Sequence, residues 1–258
     1  MTDHISVERN GGILHIRMNR PEKKNALTRA MYATMADALT AAEDDLSVGV
    51  VLFSGSGGNF TAGNDLKDFR ELPPNQGEEP SVFRFMKALA RADVPIMAAV
   101  DGVAIGIGVT MLLHCDLVFC GEITRFQMPF VDLGLVPEAG STYLLPKLMG
   151  HSQAAELILM AKPFDALRAK DLGLVNRICP AAILVETALS TAGVMAAKPP
   201  RTLRLAKSML KQDRETVLAR IDSEGQIFAE CLRSPECAEA LTAFAEKRKP
   251  DFSKCHTK

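Results

Sequence analysis

The sequence predicts an α/β fold that becomes helical toward its C-terminal end, on three observations. Short runs rich in Val, Ile and Leu alternate with helix-spaced stretches through the first half, the pattern of strands separated by helices. After about residue 140 the pattern turns mostly helical. With 258 residues, 47% of them hydrophobic and 24% charged, the chain has the balance of a soluble protein: one sizeable core plus an appended element.

Taken in order, "GILHIRM" (12–18) and "GVVLFSG" (49–55) are apolar runs bounded by Gly or Asn and read as strands. Between them, Thr28 to Glu43 carries apolar residues at helical spacing, with Asn25 or Thr28 available as a cap. "PIMAAVDG" (95–102) and "DLVFCG" (116–121) read as further strands, joined by a buried helix from Gly106 to His114. Helices follow over about 140–149, 151–161 and 165–172, with "LVNRIC" (174–179) as a late strand. "KPP" (198–200) is a break, and 200–247 reads as two or three amphipathic helices. The expected division is therefore a core over 1–197 and a helical region over 198–258. "ELPPNQGEEP" (71–80) has the composition of a mobile loop.

Bulk properties and motifs exclude several functions. The formal net charge is −1 with no basic block, which argues against nucleic acid or an anionic membrane as the main partner. The longest uncharged apolar run, Gly102 to Leu113, is too short to span a bilayer. Six cysteines without a Cys-x-x-Cys pair, and an N-terminus without the apolar core of a signal peptide, lead us to expect reduced thiols and a cytoplasmic protein. The Asn59-Phe60-Thr61 sequon is then a chance match. Gly106-Ile107-Gly108 begins like a dinucleotide fingerprint, but Met111 stands where the third glycine belongs. No Walker loop, His-Glu-x-x-His or Gly-x-Ser-x-Gly occurs. The five histidines are scattered, so no metal is expected, and His114 reads as a core histidine.

Two glycine-bearing turns and one acid remain. "FTAGNDL" (60–66) and "GVAIGIG" (102–108) each follow a predicted strand. Small residues there let backbone N–H groups face a ligand closely, as an oxyanion site needs, although ordinary strand-to-helix turns look the same. Glu138, in "DLGLVPEAGST" (132–142), ends an apolar stretch. It could cap the helix beginning near Gly140 or serve as an acid/base catalyst.

The segments "RPEKKNALT" (20–28), "FTAGNDLKDF" (60–69), "PIMAAVDGVAIGIGVTMLLHCDLVFCGE" (95–122), "FQMPFVDLGLVPEAGST" (126–142), "ALRAKDLGLVNRI" (166–178) and "FAEKRKPDF" (244–252) together resemble the crotonase (enoyl-CoA hydratase/isomerase) family over almost the whole chain. The resemblance implies a spiral of ββα turns followed by a helical trimerisation region, assembled as a trimer or hexamer. It implies an acyl-CoA thioester as substrate, with no separate cofactor. The two enolate-holding amides would be those of Asn64 and Ile107. The acyl-CoA would run along Ala62, Asn64, Asp65, Leu66 and Lys67, past Gly106 and Phe130, with Lys247 and Lys249 near the CoA phosphates. Asp65 and Asp116 read as structural, Asp132 and Glu122 as surface or turn carboxylates.

Departures from the family pattern bear on the reaction. The two glutamates by which family hydratases activate water would fall at Thr110 and Phe130, and both are absent. Glu138 matches the single acid of Δ3,Δ2-enoyl-CoA isomerases, which implies a one-carboxylate 1,3-proton shift. Its neighbours Leu135, Val136 and Phe130 would raise its pKa by desolvation, while the helix start after Gly140 would oppose this. Other readings are a hydratase with a different residue set, another enolate reaction such as dehalogenation or thioester hydrolysis, and an inactive acyl-CoA-binding or RNA-binding crotonase-like protein.

Overall fold

The computed structural model describes residues 3–65 and 79–255. Leu66 and Lys67 lie outside the described residues, as does most of the 71–80 loop.

A six-stranded sheet forms the centre. Its chain-order members are β1 (Ile5–Asn10), β2 (Ile13–Met18), β3 (Val50–Gly55), β4 (Ile96–Val100), β6 (Leu117–Gly121) and β9 (Arg177–Cys179), which also lie side by side in that order. β1 and β2 form an antiparallel hairpin with Ile5 opposite Met18; every later pairing is parallel. β3 and β4 are buried on both faces and accordingly read as unbroken apolar runs.

The strand period of two sorts side chains between the faces. Val51 and Phe53 join the larger core with Met31, Met35 and Leu39 of α1 (Arg29–Asp44) and Phe85 and Leu89 of α2 (Ser81–Arg91). Val50 and Leu52 face the other way, with Met97 and Phe119, onto Leu184, Ala188 and Ala192 of α7 (Leu184–Ala196). The α1 cap is Thr28, whose Oγ1 accepts from the Met31 N–H at 3.3 Å.

A three-stranded sheet of β5 (Val103–Ile105), β7 (Arg125–Gln127) and β8 (Phe164–Asp165) stands beside the first. The helix expected over 106–114 is α-helical only over α3 (Ile107–Thr110) and tightens to a 3-10 turn over Met111–His114. It is followed by α4 (Ser141–Met149), α5 (His151–Met160) and α6 (Ala166–Asp171). The helical end comprises α8 (Pro200–Leu210), α9 (Arg214–Cys231) and α10 (Pro235–Ala245).

Two buried cations of α8 tie that end to the core. Arg204 donates to the carbonyls of Ala42, Asp45 and Val48 at 2.8, 2.9 and 3.2 Å and to that of Glu43. Lys207 donates to the Val94 carbonyl at 2.7 Å and pairs with Asp116 at 2.8 Å. Asp116 also accepts the Ile96 N–H, which fits its structural reading. α9 packs against α2 and α4. Among the described residues no single helix is long and apolar enough to cross a membrane.

Candidate active site

Three segments that leave strand ends converge here: 56–65 after β3, Gly106 with α3 after β5, and 128–140 after β7. Residues 60–65 lie along β5, with the Thr61 N–H on the Val103 carbonyl at 3.0 Å and the Ile105 N–H on the Thr61 carbonyl at 3.1 Å. Gly63 permits this approach. Its φ is +84°, and a Cβ would stand 2.8 Å from the Ile105 carbonyl oxygen.

The segment "RPEKKNALT" clamps the same loop. Asn25, fully buried, donates through Nδ2 to the Ser56 and Asn59 carbonyls at 2.9 and 2.7 Å. Its own carbonyl accepts from the Thr61 hydroxyl at 2.7 Å, and that hydroxyl accepts the Gly63 N–H at 3.1 Å. Arg20 pairs with Asp65 at 2.6 Å, and the Tyr32 hydroxyl donates to Asn64 Oδ1. Asp65 thus fastens the turn.

The two amides expected at an enolate oxygen are those of Asn64 and Ile107. No described residue accepts a hydrogen bond from either N–H. Ile107 is the first residue of α3, where an N–H lacks an intrahelical partner. It follows Gly106, at φ 57° and ψ −117°, a conformation open essentially to glycine. The Phe130 ring lies over Gly106, with Cζ 4.0 Å from where its Cβ would be. The structure therefore brings Ala62, Asn64, Gly106, Ile107 and Phe130 into one neighbourhood.

Glu138 is 6% exposed. Its Oε1 accepts from the Thr110 hydroxyl at 2.5 Å, while Oε2 is buried with no hydrogen-bond partner among the described residues. Burial pushes its pKa up to about 8; the Thr110 hydrogen bond works against this, and the Glu224 charge adds to it. His114 is buried and reads as a core histidine here too. Its Nε2–H donates to the Ala139 carbonyl at 2.8 Å, and burial pushes its pKa down to about 3, so it stays neutral.

No N–H of the helix start after Gly140 bonds the Glu138 carboxyl among the described residues. Glu224, reaching across from α9, accepts the Gly140 N–H at 2.6 Å and the Thr142 N–H at 2.9 Å, and the Thr142 hydroxyl as well. The cap role open to Glu138 thus belongs to Glu224. That residue was missed because its signal is not local: it occupies the apolar stripe Val217, Ile221, Glu224, Phe228 of α9, where a glutamate needs a buried partner. Tyr32 and Arg20, which hold Asn64 and Asp65, were missed for the same reason.

Other expected residues lie elsewhere. Lys247 and Lys249 are exposed beyond α10, and no described hydrogen bond or ion pair joins them to the Glu138 turn. Asp132 and Glu122 are exposed. Among the described residues no three His, Cys, Asp or Glu side chains converge as a metal site.

Comparison with known proteins gives the family. The family model described as enoyl-CoA hydratase/isomerase matches residues 8–255. The chain is 34% identical to the 2,3-dehydroadipyl-CoA hydratase of Escherichia coli, covering 96% of this chain and 98% of that one. It is 35% identical to the enoyl-CoA delta isomerase 2 of Rattus norvegicus, over 95% of this chain and 64% of that one. A crystal structure of an enoyl-CoA hydratase/isomerase from Pseudoalteromonas atlantica superposes with a TM-score of 0.93 at 43% identity, covering 97% of this chain and all of that one. With the mixed sheet, the paired glycine turns and the buried acid, these matches make the chain a member of the crotonase (enoyl-CoA hydratase/isomerase) family, with the crotonase fold.

Proposed function

We propose that this acyl-CoA-processing enzyme is a cofactor-independent Δ3,Δ2-enoyl-CoA isomerase in which Glu138 carries a proton from C2 to C4. One observation carries the reading. A buried carboxylate, Glu138, is held at one oxygen by Thr110 and has no described partner at the other, and the resemblance puts Thr110 and Phe130 where the family's hydratases have their acids.

In this reading the thioester oxygen lies between the N–H groups of Asn64 and Ile107, each such donor being worth about 3 kcal/mol to an oxyanion. Glu138 Oε2 removes a proton from C2, and the electron pair moves onto the thioester oxygen as a dienolate. Collapse of the dienolate takes the proton from the same carboxyl at C4, forms the C2=C3 bond and restores the carboxylate. A group whose pKa is pushed up to about 8 is suited both to take a proton and to return it near neutral pH. In this reading the buried Phe130 and Leu135 keep water from the dienolate. The acyl-CoA runs along the loop from Ala62 and past Gly106, with Lys247 for the CoA phosphates.

UV-monitored conversion of a 3-enoyl-CoA to the conjugated 2-enoyl isomer tests the assignment. Glu138→Gln should lower kcat at least about 10³-fold with the fold intact; an undiminished rate would sink it. The similarity to the E. coli hydratase favours a second reading, water addition to a 2-enoyl-CoA, and appreciable turnover of crotonyl-CoA would establish that instead.

The apolar side chains exposed on the C-terminal helices, among them Leu205, Met209, Leu210 and Phe244, support self-assembly as a trimer or a dimer of trimers. Sedimentation of the 27.9 kDa chain as a monomer at micromolar concentration would exclude it.

A further inference from the structure

We propose that Glu224 is a positioning residue for Glu138: from α9 it takes up the N–H groups of Gly140 and Thr142, locking the turn that carries the acid and withholding those donors from it. The inference rests on the isomerase reading for its kinetic consequences and on the turn's geometry for the rest.

The turn is one that the chain does not favour by itself. Ala139 has φ +62° and Gly140 φ +72°, two successive left-handed residues of which only one is glycine. Three contacts hold it from three elements. Thr110 of α3 bonds Glu138 Oε1, His114 of the 3-10 turn bonds the Ala139 carbonyl, and Glu224 of α9 bonds the Gly140 and Thr142 N–H groups and the Thr142 hydroxyl. Gly140 sits tightly under α9, where an added Cβ would meet Val217 Cγ1 at 3.1 Å.

The chemical consequence follows from what a helix start offers. Its free N–H groups and positive dipole end stabilise a nearby carboxylate, and a carboxylate so held is a weak base. Glu138 lies two residues before Gly140 in the chain, yet its Oε2 has no hydrogen-bond partner among the described residues. Glu224 accepts those N–H groups instead. Accepting from three donors suits its ionised form; burial presses its pKa upward, and the donors and the Arg220 charge work against this. Two acids thus divide one helix start: one takes the stabilisation, and the other has Thr110 as its bonded partner and is otherwise buried. Among the described residues, the charged or titratable groups around Glu138 are Glu224, which adds to its upward shift, and neutral His114 behind Ala139. Arg220, on the exposed side of α9, acts on Glu224.

The test compares wild type, Glu224→Gln and Glu224→Ala, each checked for fold by circular dichroism. The first readout is a 13C-NMR titration of glutamate carboxyls, with the Glu138 signal assigned by its loss in Glu138→Gln. It needs no turnover, so it reports on the coupling even if the isomerase reading fails. Removing the Glu224 charge should lower the Glu138 midpoint by about one pH unit in Glu224→Gln and by more in Glu224→Ala, where the freed N–H groups can turn to Glu138. The second readout is the kinetic split: in Glu224→Ala the pH-independent kcat should fall at least about 10-fold, with KM changed less than about 3-fold. A Glu138 midpoint unmoved in the folded Glu224→Gln protein would overturn the proposal, as would a lower melting temperature with both titration and kcat unchanged. If Glu224→Ala does not fold, the near-isosteric Glu224→Gln decides alone.

Discussion

Burial that pushes the Glu138 pKa up to about 8 makes stability depend on pH with a definite sign. The folded chain holds a proton that the unfolded chain, with an ordinary glutamate near 4.5, has already released. The contribution of Glu138 is therefore complete below about pH 4.5 and is lost as the pH rises through about 8. Glu138→Gln removes that dependence. Its stability relative to wild type should climb across this window and level off above it; urea midpoints measured at intervals from pH 5 to 9 check this, and a flat difference would refute it. Thr110→Val probes the same acid from the opposite side. It keeps the shape of the side chain and deletes the donor that lowers the Glu138 pKa. The acidic limb of kcat/KM should move to higher pH, the reverse of the shift expected for Glu224→Gln. The two variants moving the limb in the same direction would contradict the electrostatic account.

At the level of elements, the glycine turns show why an amide site depends on backbone conformation more than on side chains. Gly106 has open space where a Cβ would go, only Phe130 Cζ standing as near as 4.0 Å, so the objection to alanine there is its φ of 57° with ψ −117°. Gly106→Ala should rotate the peptide that presents the Ile107 N–H, lowering kcat by about 10²–10³-fold and stability by about 1–3 kcal/mol. Paired kinetics and urea melts measure both, and an unchanged kcat would remove Ile107 from the oxyanion role. What could be read from the sequence follows the same division. β2, β3, β4 and β6, and helix α1 with its Thr28 cap, carry their period and punctuation within their own residues, and the expected bounds lie within a residue or two of those observed. β1 is an edge strand whose "ISVERN" has four polar residues in six and leaves no apolar run to find. β5 and β7 are three residues each, too short for periodicity to mark. Glu138 stood out as a charge in an apolar stretch, whereas its partners Thr110 and Glu224 stand 28 and 86 positions away and only the folded chain brings them in.

Across the whole molecule, the helices after residue 198 do more than cover the core, because Glu224 reaches the Glu138 turn from them and Arg204 and Lys207 anchor them. Arg204 is 8% exposed, and its guanidinium donates to the four carbonyls that close the end of α1 and the approach to β3, 156 to 162 positions back along the chain. The Asp45 carbonyl also accepts the Val48 N–H at 3.0 Å, but truncating the side chain takes the cation from all four acceptors at once. Arg204→Ala should cost about 3–5 kcal/mol, the range for breaking a buried charged cluster from one side. If the C-terminal helices and the core are one cooperative unit, secondary structure and enoyl-CoA turnover will be lost together at a lower urea midpoint, with an unchanged slope. Two separated transitions, with turnover lost before most of the helicity, would mean that the tail unfolds by itself and that the Glu138 turn depends on it without sharing its stability. Following circular dichroism and residual activity on the same urea series distinguishes the two.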